Sequence, residues 1–211
     1  PVWAFRLSHA VPTYPVPVVS DTDRDGVPEV YVGSYSKALH ALDGRTGQER
    51  WRWTLPFGVM SGAALALADL DADGRQEALF GTQWSLPIRV YALRTDPGLS
   101  PEHRLMWVRN VSGDFIERGL SVTGEGRSLR IIAATRDAPY SRGTVNVLDA
   151  KGRPVYPAIR GVDVCGSRCP VGVLPGFDSL SFLHGSHNFY GAAFGHQIVA
   201  RDLATGAIRW Q

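Results

Sequence analysis

Lysine is almost missing from this sequence: only Lys37 and Lys151 occur, and every other basic residue is arginine. The 22 basic and 20 acidic residues are interspersed, so no Lys/Arg run marks a surface for nucleic acid or anionic membrane. No apolar stretch approaches the roughly eighteen residues of a membrane span. No secretory leader is visible and Pro1 is not an initiator, which leads us to expect a processed or excised chain. Cysteine is confined to Cys165 and Cys169, in the run CGSRC. That spacing permits a small-loop disulfide and an oxidising compartment. Two free thiols or half of a metal site are the alternatives, and a zinc site lacks a second Cys/His pair at a suitable spacing. Sustained helical period is absent, as is a nucleophile elbow, since neither GVLPG nor GSHNF fits G-x-S-x-G. No catalytic residue is assigned.

Against these absences, 44% hydrophobic and 20% charged content over 211 residues is that of an ordinary folded chain, not a disordered one. Two acidic stretches stand out. Asp21–Glu29 reads DTDRDGVPE and Asp69–Glu77 reads DLDADGRQE. Each has aspartate at positions one, three and five, glycine at six and glutamate at nine. Alternating carboxylates, a glycine turn and a late acidic residue can wrap oxygen ligands around a hard cation such as calcium. The candidate ligands are Asp21, Asp23, Asp25, the Val27 carbonyl and Glu29 in the first copy. In the second they are Asp69, Asp71, Asp73, the Arg75 carbonyl and Glu77. An acidic surface turn without metal is the plainer reading of one copy, but two copies at the same offsets favour two calcium sites.

Trp3 to Trp51 and Asp21 to Asp69 are both 48 residues apart, so the acidic stretches belong to a longer repeat. The first unit should begin with an aromatic strand, PVWAFRL. Gly126-Arg127 repeats Gly74-Arg75 in a third copy, SVTGEGRSL, where Ser121, Thr123 and Leu129 replace Asp69, Asp71 and Glu77. That copy should not hold metal. A fourth unit is faint at SLSFLHGSH and clear at QIVARDLATGAIRW. Short alternating or apolar runs punctuated by Gly, Asp-Gly and Thr-Gly predict short antiparallel strands. Four such strands about every 50 residues predict an all-β single domain over 1–211, a β-propeller of about four blades, with repeats 1–53, 54–110, 111–158 and 159–211. Five Trp/Tyr-strand positions (Trp3, Trp51, Trp107, Tyr156, Trp210) stand against four sets of preceding strands. We therefore expect a four-bladed ring or, more naturally, part of a larger propeller, or a chain that pairs its extra strand with another molecule.

A second motif recurs: Asp43, Thr46, Gly47 and Trp51 have the spacing of Asp202, Thr205, Gly206 and Trp210. The third unit keeps Asp149 and Gly152, with Tyr156 near the Trp position, while Arg94 replaces the Asp in the second. Asp and Thr side chains can bond turn backbone and glycine can supply a positive φ. The tryptophans at this position are expected to wedge between blades.

Together these residues resemble two related propeller families. The acidic loops look like the calcium loops of FG-GAP/VCBS repeats, best known from integrin α-subunit propellers. ALDGRTGQERW and ARDLATGAIRW look like the repeat of quinoprotein (PQQ-type) propellers. Quinoprotein dehydrogenases have more blades than this chain can build and an adjacent cysteine pair, which Cys165 and Cys169 are not, so no cofactor site beyond calcium is carried over. The resemblance implies an extracellular, cell-surface or periplasmic calcium-stabilised module for adhesion or protein–protein interaction, non-catalytic and part of a surface assembly. The alternatives are a portion of a polysaccharide-active or quinoprotein dehydrogenase-like enzyme, or a carbohydrate-binding propeller. The expected partner is a protein or glycan at a propeller face, where Trp84, Trp107 and Tyr140 could offer aromatic surface. His184 and His187, three apart in HGSH, are read as loop residues of the fourth unit.

Overall fold

A computed structural model describes residues 2–7, 16–33, 37–57, 59–83, 86–114, 116, 120–137, 142–162, 172–174, 181–186 and 197–210. They form four antiparallel sheets of four strands, each a propeller blade. The first contains β1 (Val18–Ser20), β2 (Glu29–Gly33), β3 (Ala38–Asp43) and β4 (Glu49–Thr54). The second contains β5 (Val59–Ala68), β6 (Glu77–Gln83), β7 (Arg89–Leu93) and β8 (Leu105–Asn110). The third contains β9 (Leu120–Thr123), β10 (Arg130–Asp137), β11 (Arg142–Leu148) and β12 (Ile159–Val162). The fourth contains β13 (Gly172–Leu174), β14 (Ser181–Ser186), β15 (Gln197–Asp202) and β16 (Ile208–Trp210). The third sheet's last strand lies beyond residue 158, the repeat boundary read from sequence, and Tyr156 precedes it.

Side-chain period explains the layering. In β2 alternate residues Glu29, Tyr31 and Gly33 are buried, and in β4 Trp51 and Trp53 are, whereas β3 is buried at five of its six positions. Such faces can only be satisfied by a neighbouring sheet. Tyr31, Trp51, Trp53, Phe80 and Tyr91 accordingly make one core spanning the first two blades, with Phe80 and Tyr91 stacked at 5.2 Å. A second core joins Leu79, Val90, Ile131 and Leu129 across blades two and three, and a third joins Ile132 and Val147 to Leu203 of the fourth.

Every blade carries a register shift between its third and fourth strands. In blades one, two and four the extra residue immediately precedes the tryptophan: Arg50 before Trp51, Met106 before Trp107, Arg209 before Trp210. A bulge re-aims a side chain, and here it turns both arginines onto the aspartate that opens their turn. Arg50 Nη2 lies 2.9 Å from Asp43 Oδ2 and Arg209 Nη2 lies 2.7 Å from Asp202 Oδ2. The turns themselves match: Asp43 Oδ1 accepts from the Thr46 N–H at 2.8 Å and its hydroxyl at 2.9 Å, and Asp202 Oδ1 accepts the same pair from Thr205 at the same distances.

The blades are joined through these turns. The Trp3 indole donates to the Gly44 carbonyl at 3.0 Å, Trp51 to Thr95 at 3.2 Å and Trp107 to Ala150 at 3.1 Å. Each ring thus lies against the next blade's third-to-fourth-strand turn. Gly152, at φ +71, is one such contact; a Cβ there would stand 2.8 Å from the Trp107 ring. Tyr156 takes the same seat on Gly206, but its buried hydroxyl finds no partner among the described residues, and burial pushes its phenol up to about 12. The expected strand PVWAFRL is not seen: residues 2–7 carry no strand and pair with no ladder among the described residues, yet Trp3 still occupies its seat on the first blade.

The second blade lacks the Asp/Gly turn and replaces it with a longer connection held by Arg104, a residue with no sequence signal. Its guanidinium lies 4.0 Å over the Trp51 ring and donates to the carbonyls of Asp96 and Leu99 at 2.8 Å, and more loosely to Arg94 and Pro97. Arg104 is 1% exposed. Replacing it removes the donor to the Arg94, Pro97 and Leu99 carbonyls, leaves the Asp96 carbonyl with the Leu99 N–H at 3.3 Å, and uncovers Trp51. Arg104→Met should therefore destabilise the chain by about 2–4 kcal/mol, and Arg104→Lys by more than half of that because an ammonium cannot fork across the loop. Urea unfolding measures both; a loss below about 0.5 kcal/mol for the Met variant would refute this role.

Candidate metal centres

The two acidic loops join the first and second strands of consecutive blades, β1 to β2 and β5 to β6. Their backbones are the same. Position four is left-handed in both (Arg24 φ 61, Ala72 φ 62), as is the glycine at six (Gly26 φ 84, Gly74 φ 86). The glycine N–H donates to the first aspartate in each, Gly26 to Asp21 at 3.0 Å and Gly74 to Asp69 at 2.9 Å. The seventh N–H, of Val27 or Arg75, donates to the fifth aspartate at 2.7 Å. The ninth residue opens the second strand, which sinks Glu29 and Glu77 to 2% exposure, and each accepts the N–H of the loop's second residue, Thr22 or Leu70, at 3.0 and 2.8 Å.

This folding brings one, three and nine together. Carboxylate oxygens of Asp21, Asp23 and Glu29 lie within 4.8 Å of one another, as do those of Asp69, Asp71 and Glu77. Either cluster could bind a metal ion. One buried oxygen in each, Asp21 Oδ1 and Asp69 Oδ1, has no hydrogen-bond partner among the described residues. The remaining expected side-chain ligands, Asp25 and Asp73, stand exposed at the rim outside the clusters, each occupied with its seventh-position N–H. In the third copy Gly126–Ser128 forms a 3-10 turn, Glu125 and Ser128 cap one another, and Leu129 fills the glutamate position, packed into the core at 2% exposure. No carboxylate cluster forms there.

The two clusters differ in their compensating charge, which sequence reading missed. In the first, the bulge residue Arg50 inserts its guanidinium: Nη1 is 3.0 Å from Asp23 Oδ2 and 2.7 Å from Glu29 Oε1, and Nη2 is 3.0 Å from Asp25 Oδ2. Hydrogen bonding to Asp43 foremost raises the Arg50 pKa further, and the reciprocal bond holds the Asp43 carboxyl well below the usual carboxylate range. Thr22 adds a hydroxyl bond to Glu29 Oε2 at 2.8 Å, which leaves the Tyr31 hydroxyl to donate to Thr22 Oγ1 at 2.6 Å. In the second cluster Met106 stands where Arg50 does, Leu70 replaces Thr22, and the nearest cation is Arg94, 3.8 Å from Asp71. Burial therefore pushes the Glu77 carboxyl up to about 7; the Leu70 N–H opposes this, and the carboxylates of Asp71, Asp73 and Asp69 reinforce it. The loops also touch each other. Arg24 donates to the Gly74 carbonyl, Ser20 donates to Gln76 Oε1 at 2.6 Å, and a cavity of about 730 Å³ lies between both loops and the third.

Other expected residues are placed less informatively. Trp107 is committed to the blade junction. Cys165, Cys169, Trp84, Tyr140 and His187 lie outside the described residues, and His184 is placed in β14 by backbone alone. No helix among the described residues is long and apolar enough to cross a membrane.

No protein-family model matches the chain, and no curated protein does. Solved structures do. BBS1N in complex with ARL6DN matches 93% of this chain at TM-score 0.61 and 10% identity, over 56% of its own length. Kuenenia stuttgartiensis hydrazine synthase matches 82% at TM-score 0.57 and 13% identity, over 47% of its length. The quinohemoprotein alcohol dehydrogenase of Comamonas testosteroni matches 85% at TM-score 0.56 and 14% identity, over 33% of its length. The chain thus spans between a third and just over half of these structures. Likeness at such identities establishes the β-propeller fold.

The Glu77 environment has a measurable consequence. In the folded chain this carboxyl is pushed up to about 7, above the 4.5 of an ordinary glutamate, so the folded state favours the protonated acid. The stability it contributes is present below pH 4.5 and lost as pH rises through 7. Chelator-stripped protein should lose on the order of 2–3 kcal/mol more between pH 5 and 8 than Glu77→Gln does. Parallel pH profiles of melting temperature for the two proteins would contradict this.

Proposed function

We propose that this chain belongs to an extracellular β-propeller acting as a non-catalytic protein-interaction module, braced by calcium at its two acidic loops. The observation that carries the metal reading is the pair of equivalent buried aspartate oxygens, Asp21 Oδ1 and Asp69 Oδ1, left without partners beside clustered carboxylates. A buried polar atom without a partner is costly, and both loops leave the same one. The donor set is oxygen only, which suits a hard cation, and the exposed fifth aspartates suit calcium's variable coordination better than magnesium's strict octahedron. Extracellular loops of this kind bind at about 10⁻⁴–10⁻³ M. A partner-binding role is supported by the precedent of a similarly folded chain in complex with ARL6DN, and by acidic loops that meet on one face around a shared cavity.

The two sites are unequal. Calcium at the first loop must displace the Arg50 guanidinium from Asp23 and Glu29, whereas the second loop holds no such group. The second loop is the stronger site. Calorimetric titration of calcium into stripped protein should show two unequal steps, the stronger lost in Asp71→Asn and the weaker in Asp23→Asn. Arg50→Met should strengthen the first-loop step by about tenfold, since it removes a competing cation at hydrogen-bond range. Saturating calcium should raise the melting temperature by a few degrees. No heat of binding and the same melting temperature in calcium and in EDTA would overturn the metal reading.

A further inference from the structure

A groove of about 720 Å³ runs between the second and third blades, on the end where the acidic loops and the third-to-fourth-strand turns open. Met106 and Trp107 of β8 line its floor, and Arg94, Arg127, Lys151 and Arg153 line its walls. Two carboxylates enter it. Asp149 is already engaged, accepting the Lys151 N–H at 2.9 Å and the Arg153 N–H at 2.8 Å, with Arg153 Nε at 3.4 Å from its other oxygen. Asp71 faces Arg94 at 3.8 Å. Arg127 and Lys151 are exposed, and neither meets a carboxylate among the described residues. The groove therefore carries an excess of positive charge, with two unengaged cations, both contributed by loops of the third blade.

The aromatic floor is not a sugar platform. The Trp107 indole spends its N–H on the Ala150 carbonyl at 3.1 Å, and Gly152 lies against its ring. What remains is cations set out along both walls above a partly apolar floor, which matches carboxylates spaced along an extended backbone. Guanidinium forks in particular favour carboxylate geometry. We propose that this groove docks an acidic, extended peptide segment of a protein partner. This deepens the reading of the chain as an interaction module, on which it rests. It also ties the groove to the second loop: Asp71 belongs to that loop's carboxylate cluster, so a cation held there neutralises the acid facing Arg94 and makes the groove more positive.

Fluorescence anisotropy of a labelled peptide of alternating glutamate and glycine, titrated with the full chain at low ionic strength, tests this, with the glutamine counterpart as control. The glutamate peptide should bind, the glutamine peptide should not, and the double variant Arg127→Glu/Lys151→Glu should lower affinity by at least about tenfold at an unchanged melting temperature. Affinity in millimolar calcium should exceed that in chelator several-fold. Absence of saturable binding in both buffers overturns the proposal, as does equal binding by the double variant. Tighter binding of a sulfated oligosaccharide of equal charge overturns it too, and assigns the groove to glycans. Equal peptide affinity in calcium and in chelator upholds the groove and counts against metal at the second loop instead.

Discussion

The structure depends on one repeated contact: an indole that precedes each of the first three blades in the chain, donating to that blade's third-to-fourth-strand turn. A propeller blade has no core of its own, because its two faces are apolar and its edges are short. Packing supplies area but little direction. The indole N–H supplies direction, since it must find an acceptor when its ring is buried, and at Trp3, Trp51 and Trp107 that acceptor is a carbonyl of the neighbouring blade's turn. The contact survives a change in the turn beneath it. In blades one, three and four a positive-φ glycine makes room for the ring, and in blade two the Arg104 guanidinium lies on it instead. What is preserved under the three indoles is a carbonyl within reach and a flat surface against the ring, not a particular sequence.

The acidic loops pose the opposite problem, an excess of like charge held close by backbone geometry. Three remedies appear in three successive blades. The first inserts a guanidinium from its own outer strand, the second leaves its carboxylates to one another and to a distant arginine, and the third replaces the buried glutamate by Leu129 and closes the loop as a 3-10 turn. The raised Glu77 acid is the electrostatic mark of the second arrangement. Because like carboxylates crowded out of water favour protonation or a counter-cation, the second loop needs an external partner more than the first does. Identical backbones therefore do not imply equal sites.

The fold and the clustered carboxylates were legible in the sequence because both are written in short-range offsets. Aspartate at one, glycine at six and glutamate at nine determine which N–H meets which carboxylate, all within one loop, and the 48-residue register places the loops in consecutive blades. The Arg50 contact was not legible. It joins residues 27 and 21 positions apart through a bulge, although its repetition as Arg209 before Trp210 was a usable signal. Arg104 was invisible for a different reason: it substitutes for a motif by function and shares no residue type with it. Asp25 and Asp73 stand exposed at the loop rim, a position that alternate spacing alone does not give. The absent strand at residues 2–7 shows the limit of pattern alone, because alternation needs a ladder to become a strand.

Fold and site meet at a single position, the bulge residue before the tryptophan. Its neighbour holds two blades together, while its own side chain points at the loop face. Where it is Arg50 it closes the turn and fills the acidic cluster of its own blade; where it is Arg209 it closes the turn alone; where it is Met106 it does neither and becomes part of a groove floor. One backbone irregularity thus presents a different chemistry in blades one, two and four while the aromatic residue beside it keeps its place. That separation is what allows a repeat to keep its architecture while its loop face diverges. The second blade has Met106 in place of arginine and Arg94 in place of aspartate, and the open carboxylates and one side of the cationic groove lie there.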